Sequence, residues 1–264
     1  MKFRQRKNTP TVFVTIGRGG TGKTSFVALM GKCLIEQGEI PILLVDVDPD
    51  QNLAEMVGVD LQRESRRTIA ELLAETFLEK GGTTVGISPS ERIESKIWEK
   101  SLYEGDTFDL LAIGTKWLEG CYCLPDAALK NALGSIIKQY RYILIDSPAG
   151  LEHLNRRVVT RVNEIFDVVG PSKKSFDNVR RALRIAREVH IEFERFSIVG
   201  GFMCQKEKTM CAETIEGVEN IGTISYDKLL EQFVYEGKSL LDLPEESPGY
   251  QSVRSILKKA GYLG

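Results

Sequence analysis

The chain has 264 residues, 42% hydrophobic and 27% charged, which is the composition of a globular protein and not of a fibrous or disordered one. Lys and Arg number 35 against 37 Asp and Glu; this net charge of −2 gives no overall basic footprint for nucleic acid. No apolar run approaches a membrane span, and five cysteines form an odd set in a chain too large for a disulfide scaffold, so reduced thiols in a cytoplasmic protein are expected.

The first seven residues are basic, and no apolar segment follows them that would make a signal peptide. They read as a solvated tail, residues 1–9, on one P-loop nucleotidase domain spanning 1–264. The β-branched run Thr11–Ile16 reads as a buried strand ending in a glycine turn. A helix is expected from Thr24 to Gln37, stopped by Gly38. Ile42–Val45 and Tyr142–Ile145 are further buried strands, each delivering an aspartate at its C-terminal end; Leu110–Ile113, Ile165–Val169 and Phe196–Met203 read the same way. Charged stretches such as Asn178–Glu194 read as helices between them. This alternation predicts an α/β fold with a mostly parallel sheet and helices on both faces, where ligands sit at the carboxyl ends of the strands.

Between the first strand and the first helix lies Gly17-Arg18-Gly19-Gly20-Thr21-Gly22-Lys23-Thr24, which fits the pattern G-x-x-x-x-G-K-[ST]. Its glycines let backbone N–H groups turn toward phosphates, and the helix N-terminus adds a favourable dipole. Lys23 is expected to reach the β- and γ-phosphates of ATP, and the Thr24 hydroxyl to ligate Mg²⁺, with Ser25 beside them. Asp146 opens Asp-Ser-Pro-Ala-Gly150 and is placed to hold Mg²⁺ through its outer shell. Asp46 and Asp48 end another strand; a carboxylate there orients or deprotonates the attacking water, or else caps the next helix.

These residues resemble the deviant Walker motif of the MinD/ParA/nitrogenase-iron-protein class. Asp46-Val-Asp48-Pro49 and Asp146 to Gly150 look like its two switch segments. The resemblance implies face-to-face homodimers around ATP, with Arg18 standing where the class has a lysine that reaches the partner's phosphates. Lys23, Asp48 and Arg18 are then the candidate catalytic residues. Pro171-Ser-Lys-Lys-Ser175 and Gly222-Thr-Ile-Ser-Tyr-Asp227 look like later nucleotide-pocket segments of the class, with Ser225 replacing a proline. Gln205 sits near its adenine-reading asparagine.

Gly120-Cys121-Tyr122-Cys123 narrows the reading. In an extended segment the two thiols share a face and can bind one ion; a twofold dimer would complete four sulfur ligands, planar for Ni²⁺ or tetrahedral for Zn²⁺. With the amphipathic stretch Leu129–Leu133 that follows, the chain is similar to CooC-type nickel-insertion ATPases. That resemblance implies metal delivery to a client such as carbon monoxide dehydrogenase or acetyl-CoA synthase. An iron–sulfur cluster carrier and a MinD/ParA-like positioning ATPase are the competing readings. Gln251–Gly264 carries Arg254, Lys258 and Lys259 but is expected to lack the apolar face of a membrane-surface helix. Cys33 reads as core, Cys204 as buried, Cys211 as incidental, and His153 and His190 make no ligand cluster.

Overall fold

The computed structural model describes residues 9–78, 88–114, 123–148, 161–188, 191–202 and 215–264, and for 76–78, 89 and 123–128 the backbone alone. Strands β1 (Thr11–Ile16), β2 (Ile42–Asp46), β3 (Tyr103–Glu104), β4 (Phe108–Ala112), β5 (Tyr142–Asp146), β6 (Arg161–Val169), β7 (Glu192–Gly200) and β8 (Glu219–Thr223) form one sheet. Its order is β3-β4-β2-β5-β1-β6-β7-β8, and every pairing is parallel except β3 with β4. Helices α1 (Lys23–Glu36), α2 (Leu53–Met56), α3 (Ile69–Leu78), α4 (Pro89–Lys100), α5 (Cys123–Ile137), α6 (Lys173–Glu188), α7 (Lys228–Tyr235) and α8 (Pro248–Lys259) complete the described elements, with a 3₁₀ turn at Leu240–Asp242.

The central strands are mostly apolar along their length because both of their faces are covered. Successive side chains point to opposite sides, so each strand feeds two cores. Val12, Val14, Leu43, Val45, Ile143 and Ile145 join one core with Ile97 of α4, Leu133 of α5 and Val179 of α6. Phe13, Ile42, Leu44, Tyr142 and Leu144 join the other, with Phe26 and Leu29 of α1 and Val253 and Leu257 of α8. Cys33 belongs to this second core, 1% exposed, and burial pushes its thiol up to about 12.

Several boundaries differ from the sequence reading. The charged stretch expected as helix to Glu194 stops being helical at Glu188, and β7 is already running at Glu192. The first four residues of β7, Glu192-Phe193-Glu194-Arg195, are mostly charged and give no clean strand period, so they merge with the charge density of α6. The segment Gln251–Gly264 does carry an apolar face, since Tyr250, Val253, Ile256 and Leu257 of α8 are buried; that face is used in the core. Strands β3 and β8 escaped the reading because they are edge strands, one of two residues and one polar and glycine-containing. Among the described residues no helix is long and apolar enough to cross a membrane.

The C-terminus is held by an ion pair whose acid is buried and whose base is 40% exposed. Glu164 on β6 is fully buried; it accepts from the Ser197 hydroxyl at 2.5 Å and pairs with Arg195 at 2.6 Å. Arg195 also donates to the Ala260 carbonyl at 2.8 Å and lies over the Tyr262 ring. Removing the guanidinium strands a buried carboxylate, so Arg195→Ala is expected to destabilise the fold by about 3 kcal/mol. Thermal unfolding should register this as a fall of roughly 6–10 °C, with the conservative Arg195→Lys losing less.

Candidate functional site

The loop after β1 reaches its shape through backbone that side chains disfavour. Gly17, Gly20 and Gly22 have φ of 143°, 76° and 92°. A Cβ on Gly17 would stand 2.3 Å from the Val168 carbonyl of β6, and one on Gly22 would stand 2.4 Å from the Phe202 ring. The loop is thus pressed between β6 and the residue after β7. Arg18 closes the turn from within, its carbonyl accepting from the Thr21 hydroxyl at 2.9 Å and from the Thr21 N–H at 3.4 Å.

Helix α1 starts at Lys23, with Gly22 as its cap and no side chain capping the first turn. Its first N–H groups are therefore open to an anion. Lys23 is only 7% exposed, and its ammonium lies 3.9 Å from Asp48. Asp146 and Asp167 also feel its charge. The Ser25 hydroxyl, also in this wall, turns aside to the sulfur of Met56 at 3.6 Å.

The two strand-end aspartates expected from sequence lie side by side, Asp46 of β2 opposite Asp146 of β5 in register. They do different work. Asp46 accepts from the N–H of Asp48 and from the N–H of Leu53 at the start of α2, each at 3.0 Å, so it is a structural cap. Of the two roles open to Asp46 in the sequence, the geometry gives the capping one. Asp146 is fully buried, and neither of its oxygens has a hydrogen-bond partner among the described residues. The Thr24 hydroxyl is near enough to draw its pKa down but outside hydrogen-bonding geometry. An orphaned buried carboxylate beside a free hydroxyl suits a hydrated divalent cation, whose water would satisfy it.

Burial leaves these carboxylates reluctant to ionise. It pushes Asp146 up to about 6, against the pull of Thr24 and Lys23. It pushes Asp46 up to about 7, helped by the charge of Asp146, and Asp167 up to about 7, with Lys23 opposing.

Two cavities flank the loop. The larger, about 420 Å³, is lined by Gly19, Gly20, Gly22, Lys23, Thr24 and Ser25 of the loop and α1, by Phe202 against Gly22, by Tyr226, Leu230 and Val234, and by Asp48. The smaller, about 190 Å³, lies toward α6 and is the one that Gly17 and Arg18 line. Arg18 thus lines this cavity and not the one that Lys23 lines. Phe202, which lines the large cavity beside Gly22, went unread because it is a lone aromatic at a strand exit; its signal is the required closeness to Gly22.

Of the segment Gly222–Asp227, Tyr226 and Asp227 line the larger cavity. Where a proline was expected, the Ser225 N–H donates to the Ser252 hydroxyl at 3.1 Å, a bond that proline could not make. Asp227 caps α7 through the N–H groups of Leu229 and Leu230, and ties in α8 through the Gly249 N–H at 3.0 Å. Gln205, Cys121, Gly150, Cys204, Cys211, His153 and His190 lie outside the described residues, as does the thiol of Cys123. Cys123 is the first residue of α5, so the cysteine pair is not wholly in an extended segment.

The pKa values fix how stability follows pH. A carboxyl raised in the folded state costs nothing in acid, where both states hold the proton. Stability then falls as pH rises from about 4, where the unfolded chain ionises, to between 6 and 7, where the folded groups do. Without metal, Asp146→Asn should therefore gain on the order of 2 kcal/mol over wild type at pH 8 and nothing at pH 4, as read by denaturant titration. Similarity to known proteins agrees with this site. A family model described as an AAA domain matches residues 10–196. An uncharacterized ATP-binding protein of Methanocaldococcus jannaschii is 31% identical over 94% of this chain and 97% of its own length. The carbon monoxide dehydrogenase accessory protein CooC of Rhodospirillum rubrum is 25% identical over 86% and 88%. Among solved structures, the MinD cell division protein of Aquifex aeolicus superposes with a TM-score of 0.64 over 96% of this chain and 98% of its own, at 21% identity. The chain belongs to the AAA_31 family and is a P-loop ATPase of the MinD/ParA type.

Proposed function

We propose that this ATPase is a nucleotide-switched metallochaperone, which carries a thiophilic ion, nickel or zinc, between two copies of itself and delivers it to a nickel enzyme. The observation that carries this reading is the Cys121-Tyr-Cys123 pair in a chain that is similar over most of its length to a carbon monoxide dehydrogenase accessory protein. Two thiolates half-fill a four-coordinate shell, and a twofold partner supplies the rest.

In this reading ATP lies in the 420 Å³ cavity with its phosphates at the loop and its base between Phe202 and Tyr226. Gly17, Arg18, Gly19, Gly20, Thr21 and Gly22 shape the cradle, and the open N–H groups of α1 hold the phosphate oxygens. Lys23 leaves Asp48 for the β- and γ-phosphates, which frees that carboxylate to orient the attacking water. Thr24 would ligate Mg²⁺ and Asp146 would hold one of its waters; the ion, when bound, would supply positive charge against that developing on the phosphates. Arg18, which lines the smaller cavity instead, is available to a second copy's phosphates, and its fork can meet two oxygens at once. Dimer closure by ATP gathers the cysteines, and hydrolysis releases the ion to carbon monoxide dehydrogenase or acetyl-CoA synthase as client. A coupling of this kind is reciprocal: ATP must tighten metal binding by the factor by which metal tightens ATP binding.

The positioning reading, in which a MinD/ParA-like switch acts on a membrane or on DNA, draws support from the shared fold. An iron–sulfur cluster carrier would use the same cysteines. Metal stoichiometry separates the three. One Ni²⁺ or Zn²⁺ per two chains, formed with ATP and lost in Cys121→Ser/Cys123→Ser, is the expected result. An ion count untouched by the substitutions would remove the delivery reading, and ATP-dependent sedimentation with liposomes or DNA would replace it. Lys23→Ala is expected to lower ATP turnover by at least about 100-fold, the scale of losing a charge-stabilising donor.

A further inference from the structure

The smaller cavity is used by nothing described so far. It lies behind the phosphate loop, between Gly17, Arg18 and Thr21 on one side and α6 on the other. Its buried charged group is Asp167, on β6 beside Ile16 and 4% exposed. No hydrogen bond to this carboxylate is formed among the described residues, and the charge it senses is that of Lys23, on the far side of the loop. The carboxylate lines a cavity that is large enough to admit a donor.

The rest of the lining is uneven in a way that restricts the donor. Arg18 and Arg181 both line the cavity and are exposed, so its mouth is cationic. A simple cation would be drawn by Asp167 and opposed by the two guanidinium groups; a simple anion would meet the reverse. Asn178 and the buried Ser175 offer neutral polar contacts, and Ala182 and Ile185 an apolar wall. The volume, about 190 Å³, holds a molecule of a few heavy atoms.

We propose that this cavity is a binding site for a small zwitterion, an aminocarboxylate or aminophosphonate of amino-acid size. Its ammonium donates to Asp167, its short carbon stem lies on Ala182 and Ile185, and its anionic end meets Arg181 and Arg18. Because Gly17 and Thr21 belong both to this cavity and to the phosphate loop, the occupant touches the back of the ATP cradle. Loading the cavity therefore changes ATP affinity, and ATP changes the zwitterion's affinity by the same factor.

Isothermal titration of the full-length protein with glycine, β-alanine and 2-aminoethylphosphonate tests this, with ethylamine and propionate as singly charged controls. At least one zwitterion should bind with one site per chain, while neither control binds. Asp167→Asn and, separately, Arg181→Ala should each weaken that binding by about tenfold or more, the scale of removing one member of a close charge pair. ATP binding, read in the same samples, shows that each variant is folded. The proposal is overturned if none of the three zwitterions binds. It is equally overturned if both variants bind as wild type does, or if ethylamine binds as tightly as the zwitterions.

Discussion

A single buried ammonium governs the arrangement of this molecule's working end. Lys23 sits at the first turn of α1, 7% exposed, and feels carboxylates from β5, from β6 and from the loop after β2. Buried charge of this kind persists only where countercharge is close. The parallel sheet supplies it, because parallel strands end on the same side and can bring several aspartates to one edge. Without nucleotide the cluster holds more acid than base, which is why burial raises the carboxyls instead of leaving them ionised. A divalent cation bound with nucleotide would add positive charge here, and its waters would give Asp146 something to hold.

Two adjacent aspartates with similar sequence surroundings thus diverge by what lies in front of them. Asp46 is satisfied by two backbone N–H groups and stays with the scaffold. Asp146 is satisfied by nothing within the described chain. The contrast comes from where the next N–H groups go: after β2 those of Asp48 and Leu53 come back to the Asp46 carboxylate, whereas after β5 that of Ser147 goes to the Thr15 carbonyl.

Much of this was legible beforehand. The cradle could be read because its glycines are forced by local geometry: Gly17 and Gly22 allow approaches that any Cβ would block. The central strands could be read because burial on both faces leaves a mostly apolar run. The failures have equally local causes. The end of α6 was overrun because Arg184, Arg187, Glu192 and Glu194 make one charged stretch across a helix and a strand. The face of α8 was missed because its polar residues outnumber its apolar ones, and only packing shows that Val253, Ile256 and Leu257 align. Phe202 and Asp167 carry no motif at all; each matters through a neighbour distant in sequence.

The pocket's far wall has a different origin from its cradle. Phe202, Tyr226, Leu230 and Val234 come from beyond residue 196, where the family match ends, and Asp227 and Ser225 brace the Tyr226 side of that wall on α7 and α8. The two halves of the cavity are thus separately supported, one by the sheet edge and one by the last two helices. Such a division lets substitutions redraw the base-side contour, and with it which nucleotide fits, while the chemistry at the triphosphate end stays as it is.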